Sequence, residues 1–76
     1  MCGIIGISSN RSVSGNIINS LKKLEYRGYD SAGIATLSEN VINEIKSIGR
    51  VENLEKNFNL KSLSGNIGIG HVRWAT

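Results

Sequence analysis

Proline is missing altogether from these 76 residues, and cysteine and tryptophan occur once each. Without proline, every turn falls to the nine glycines and to short polar runs. One cysteine cannot form an internal disulfide, so nothing in the chain asks for an oxidising compartment. No apolar run nears the ~18 residues of a membrane span. The N-terminus also lacks the basic start and continuous apolar stretch of a signal peptide, so the expected location is the cytoplasm, with no membrane partner. Charge of one sign is scarce as well. Nine basic residues against six acidic ones leave a net +3, spread along the chain rather than gathered in one stretch, which argues against a nucleic-acid reader.

What is present suits one small globular domain. Apolar residues make up 39%, too many for a disordered chain. Gly3 to Ser8 reads as a buried strand, rich in β-branched residues and punctuated by glycine. Ile17, Ile18, Leu21 and Leu24 recur at helical spacing, with Ser14 as N-cap and Gly28 closing the C-terminal end. Ala32 to Leu37 reads as a strand and Ser38 to Asn40 as a turn. The Ile and Val content of Val41 to Ile48 tips that segment from helix to strand. Val51, Leu54 and Phe58 mark a short helix after Gly49, and Asn66 to Trp74 returns to strand. The order β-α-β-β-α-β predicts a layered α/β (α+β) arrangement. Thr76 follows a strand with no capping element, so residues 1–76 read as the N-terminal portion of a longer, truncated domain.

Three segments carry chemistry. Cys2 follows a Met1 that is readily trimmed before small residues. Trimming puts a free α-amine, with a reference pKa of about 7.7–8.0, on the same residue as the thiol, so that nucleophile and base coincide. Gly3 and Gly6 either admit a substrate backbone to the strand or are tolerated by tight packing; both readings stand. The second segment, Glu25 to Gly33, sets two tyrosines, Arg27, Asp30 and two glycines at a helix–strand junction, where rigid scaffolds hold functional groups. Asp30 and Ser31 there could equally satisfy backbone donors in an ordinary turn. In the third, Ile67, Ile69, His71 and Arg73 share one strand face, while Gly68, Gly70, Val72 and Trp74 share the other. Arg73 suits a two-pronged grip on a carboxylate. His71 reads as a hydrogen-bonded structural histidine. One Cys and one His give no metal site.

Together, Met1-Cys2-Gly3-Ile4-Ile5-Gly6, Tyr26-Arg27-Gly28-Tyr29-Asp30-Ser31-Ala32-Gly33 and His71-Val72-Arg73-Trp74-Ala75-Thr76 resemble the class II glutamine amidotransferases. The resemblance implies the N-terminal-nucleophile hydrolase fold, an αββα sandwich, with only its first part in this chain. It implies that Cys2 attacks the side-chain amide of glutamine, giving a thioester and releasing ammonia, with no cofactor. Arg73 and Thr76 match positions that hold the glutamine backbone, and Trp74 matches the residue that shapes and gates the pocket. Arg27 and Gly28 match the loop around the nucleophile.

Tyr26, Tyr29 and Trp74-Ala75 depart from the phosphoribosyl-pyrophosphate amidotransferases, which usually carry His and Gln at the first two positions. Tyr29 also replaces the proline usual after Arg-Gly in asparagine synthetases. Both departures favour the branch that passes ammonia to a second domain, where fructose 6-phosphate becomes glucosamine 6-phosphate in a homo-oligomer. The alternatives are a fragment of an amidophosphoribosyltransferase-type enzyme or a non-catalytic remnant of a split gene. The family's Asn-Gly oxyanion hole and its α-amine-binding aspartate fall beyond Thr76. The 76 residues alone are therefore expected to have little or no glutaminase activity, since one lost oxyanion donor costs about 100- to 1000-fold.

Overall fold

A computed structural model describes residues 2–28, 30–57 and 63–74, with the backbone alone at Arg27. Strand β1 (Cys2–Ser8) leads into helix α1 (Ser14–Leu24) and a 3-10 turn (Glu25–Arg27). Strands β2 (Ser31–Ser38) and β3 (Val41–Ile48) follow, then helix α2 (Glu52–Asn57) and strand β4 (Ile67–Arg73). The β-α-β-β-α-β order and the strand assignment of Val41 to Ile48 match the sequence expectation. Phe58 lies outside the described residues.

The four strands form one sheet in the order β1-β4-β2-β3, with every neighbouring pair antiparallel. Because β1 and β2 both run against β4, they are parallel to each other, and β4 lies between them under the α1 crossover. The β2–β3 hairpin closes on Glu39 and Asn40, whose φ values of 50° and 66° are those of a type I′ turn. An all-antiparallel sheet needs helices on one face only, and here the described residues form one helical layer on one sheet.

The covered face is the glycine-bearing one. Gly68 and Gly70 of β4 lie beneath α1; a Cβ on Gly70 would come 2.5 Å from Ile17 Cγ2, and one on Gly68 2.7 Å from Ile17 Cδ1. Lacking side chains, these positions let the helix settle close to the sheet. Val13, Ile17, Ile18 and Leu21 then bury completely against Ala32, Ile34 and Val72, and Val51, Leu54 and Leu63 complete the core. The isoleucines that alternate with the glycines face the other way, so Ile4 is 76% and Ile69 61% exposed.

Two local expectations change. Val13, not Ser14, is the N-cap of α1; Ser14 makes no capping hydrogen bond and is buried. The helix start is held instead by the Val13 N–H, which donates to the Gly65 carbonyl at 3.0 Å. Gly28 closes the 3-10 turn with φ 104° but ψ 178°, an extended backbone open to glycine rather than a left-handed helical cap.

Candidate active site

The chemistry-bearing residues gather at one end of the sheet because of strand register. Cys2, the first residue of β1, pairs directly with Arg73, the last of β4, and Arg73 pairs on its other side with Ser31, the first of β2. Directly opposed residues in antiparallel strands have Cα atoms about 4.5–5.5 Å apart and side chains on the same face. Cys2, Arg73 and Ser31 therefore form one row across three strands, on the face that the helices leave open. The Cys2 thiol is free and exposed. The next row, Ile4, His71 and Gly33, borders a cavity of about 290 Å³ that is also lined by Ala35, Lys46 and Ile69. Neither Cys2 nor Arg73 lines that cavity; the thiol and the guanidinium stand at the end of the sheet, beside it.

Arg73 is held by Asp30. Its Nη1 lies 3.5 Å from Asp30 Oδ2, and its carbonyl accepts the Asp30 N–H at 2.9 Å. The Asp30 carbonyl in turn accepts the Gly49 N–H at 2.7 Å, tying β4, the approach to β2 and the exit from β3 together. This role of Asp30 went unread in the sequence, where the residue fitted a turn. The available signal was an acidic residue one place before the strand that lies beside the arginine.

Trp74 occupies the opposite face. Its Nε1 donates to the Leu24 carbonyl at 2.7 Å, at the end of α1, and its ring meets Tyr26 edge-on at 6.4 Å. A Cβ on Gly3 would come 3.0 Å from Leu24 Cδ1 and 3.2 Å from Trp74 Cζ2. Of the two readings open for Gly3, tight packing is the one these distances support. Gly6, in contrast, has only ordinary contacts at 3.9 Å and beyond on the open face.

The Glu25 carboxylate accepts the Val51 N–H at 2.8 Å, so the 3-10 turn also fixes the segment that opens α2. Lys22 and Glu55 pair between the two helices. His71 is exposed on the open face and its imidazole makes no hydrogen bond among the described residues, which departs from the hydrogen-bonded role expected of it. The backbones of Arg27 and Gly28 lie in the turn before β2, while Thr76, Tyr29 and the Arg27 side chain lie outside the described residues. Among the described residues no group of three metal-ligating side chains forms, and no helix is long and apolar enough to cross a membrane.

No family model matches the chain. Curated relatives do, over all 76 residues. Glutamine–fructose-6-phosphate aminotransferase (isomerizing) of Clostridium acetobutylicum is 53% identical, and those of Pyrococcus horikoshii and Bartonella henselae are 57% and 51% identical. The chain spans only 12–13% of their length.

Among solved structures, the glutamine phosphoribosylpyrophosphate amidotransferase of B. subtilis, complexed with ADP and GMP, superposes with a TM-score of 0.87. It is 27% identical, over 99% of this chain and 16% of that one. A structure described as the allosteric regulatory enzyme of purine biosynthesis gives the same TM-score at 28% identity, over 100% of this chain and 16% of that one. The backbone is that of the class II amidotransferase, N-terminal-nucleophile hydrolase fold, of which the described residues form one α layer and one β layer. At 51–57% identity over every residue, the chain is a homologue of the N-terminal segment of the glutamine–fructose-6-phosphate aminotransferases.

Proposed function

We propose that these residues are the nucleophile-bearing first part of a glutaminase domain, and that Cys2 is its catalytic residue. The observation that carries the reading is the pairing of Cys2 with Arg73 on one open sheet face. The guanidinium is placed to take the glutamine α-carboxylate while the thiol, one strand away, meets the side-chain amide. With Met1 removed, the α-amine of Cys2 accepts the thiol proton as sulfur attacks the amide carbon. The tetrahedral intermediate then collapses, the C–N bond breaks and the proton passes to the leaving nitrogen. Ammonia departs and a γ-glutamyl thioester remains on Cys2, to be hydrolysed to glutamate. Thr76 joins Arg73 on the substrate backbone, and Arg27 and Gly28 form the loop beside the nucleophile. Trp74 shapes the pocket through the end of α1 rather than over the thiol.

In the whole protein the ammonia converts fructose 6-phosphate to glucosamine 6-phosphate, in a homo-oligomeric cytoplasmic enzyme. The relatives at 51–57% identity support that acceptor. The phosphoribosylpyrophosphate amidotransferase neighbours support a second reading with a phosphoribosyl acceptor, at about half that identity. The 76 residues alone have little or no glutaminase activity, because the oxyanion donors are supplied from elsewhere.

The test is covalent labelling of the full-length protein with an electrophilic glutamine analogue, followed by peptide mass spectrometry. Label on Cys2 alone, lost in Cys2→Ala, is the expected result, and label on any other residue overturns the mechanism. Glucosamine 6-phosphate formation from glutamine and fructose 6-phosphate decides the acceptor. Ammonia release by the purified 76-residue chain, abolished by Cys2→Ala, would refute the inactivity of the isolated segment.

A further inference from the structure

We propose that Asp30 is a positioning residue that fixes the Arg73 guanidinium for the substrate carboxylate; this rests on the glutamine-binding reading of Arg73 given above. Arg73 ends its strand with a side chain 69% exposed, long enough to sweep a wide arc above the sheet if nothing restrained it. Asp30 supplies the restraint from a backbone that is itself pinned twice, through its N–H to the Arg73 carbonyl and through its carbonyl to the Gly49 N–H.

The contact runs through Nη1, which lies 3.5 Å from Oδ2. A guanidinium presents five N–H donors in a planar fork, so an acid on Nη1 leaves the edge formed by Nε and the other terminal nitrogen for a second carboxylate. Asp30 thus orients the fork without occupying the edge that suits bidentate binding.

An exposed pair of this kind contributes little to folding, so the function of Asp30 is read in binding and not in stability. Holding one long side chain ready in its bound geometry is worth roughly a 2- to 10-fold gain in affinity. The opposing effect is repulsion between the Asp30 carboxylate and the substrate carboxylate. With the two anions on different edges of one cation in an open, hydrated site, the high dielectric of water keeps that repulsion weak.

The experiment is steady-state glutaminase kinetics on the full-length protein, with active sites counted by the electrophilic glutamine analogue. Asp30→Asn is expected to raise the glutamine KM about 3- to 10-fold, with kcat per titrated site within about twofold and the melting temperature unchanged. Asp30→Glu should recover most of the loss. Because Asp30 acts through Arg73, Asp30→Asn should add nothing in an Arg73→Lys background. An unchanged or lowered KM in Asp30→Asn overturns the proposal, as does a raised KM that persists undiminished in Arg73→Lys. A fall in titratable sites and kcat at constant KM also overturns it, since that marks a structural role. If Arg73→Lys itself leaves KM unchanged, the glutamine-binding reading of Arg73 fails instead, and the inference falls with it.

Discussion

Placing a single methyl group on β4 tests how α1 is seated. At Gly70 a Cβ would meet Ile17 Cγ2 at 2.5 Å and Leu21 Cδ1 at 3.0 Å. Cγ2 is the branch methyl of a β-branched residue inside a helix, where one χ1 rotamer dominates, so it cannot swing aside. At Gly68 the main obstacle is Ile17 Cδ1 at 2.7 Å, the far end of the same side chain, with the Ala35 carbonyl and Val13 Cγ2 both at 3.0 Å. Overpacking a buried site costs about 1–3 kcal/mol, and the reduced freedom of the unfolded chain returns about 0.4–1 kcal/mol. Gly70→Ala should therefore destabilise by roughly 2 kcal/mol and Gly68→Ala by roughly 1 kcal/mol.

Ile17→Val makes the comparison decisive. It deletes Cδ1 and keeps Cγ2, at a cost of about 0.5–1.5 kcal/mol alone. In the double variants it should relieve Gly68→Ala in part, since the Ala35 carbonyl remains, and leave Gly70→Ala unrelieved. The assay is urea unfolding of the 76-residue chain followed by the fluorescence of its single tryptophan, anchored to Leu24. With a denaturant slope of about 1 kcal/mol per molar for a chain this small, Gly70→Ala moves the midpoint by about 2 M. If Gly68→Ala proves the costlier change, or if Ile17→Val rescues Gly70→Ala equally, then α1 is not seated on β4 by these contacts.

The other predictions use the same urea assay. Gly3→Ala should cost about 1–2 kcal/mol against Leu24, Trp74 and Val72, while Gly6→Ala, whose Cβ meets nothing closer than 3.9 Å, should be neutral. Thr36→Val removes the buried hydroxyl that donates to the Ser64 carbonyl at 3.1 Å, leaving that carbonyl without its donor, and should lower stability by about 1 kcal/mol. Replacing Glu39-Asn40 by Asn-Gly relieves two positive φ values in the hairpin turn and should raise the midpoint, by roughly 0.5–1 kcal/mol of stability.

Periodicity and β-propensity delivered the element order, and the alternation along Ile67 to Arg73 sorted its side chains onto the correct two faces. It did not say which face was covered. Burial here follows the room that glycine leaves for a helix, and that is a property of the partner element, invisible in one strand's pattern. Ser14 looked like a cap by type, but the Val13 N–H is taken by the Gly65 carbonyl, 52 positions later in the chain and just ahead of β4, a tertiary contact that overrides local preference. At the site, Cys2 and Arg73 stood out by residue type and motif. Their adjacency needed the β1-β4-β2 order, since residues 2, 31 and 73 share no local pattern. Asp30 was hidden for the same reason: its partner lies 43 positions along the chain.

The glycines that seat α1 also hold the site in register. A one-residue slip of β4 would turn Arg73 from the open face to the helix side and carry it away from Cys2. In most half-buried sheets the apolar side chains prevent such a slip by favouring the core. On β4 only Val72 contributes in that way, since Ile67 and Ile69 already lie on the open face. What forbids the slip is steric: it would bring Ile67 or Ile69 under Ile17 and Leu21, where not even a methyl group fits. Exclusion by the glycine row, rather than attraction by the isoleucine row, keeps the thiol and the guanidinium side by side. The same register holds Ile4, Ile67 and Ile69 on the open face that carries Cys2 and Arg73.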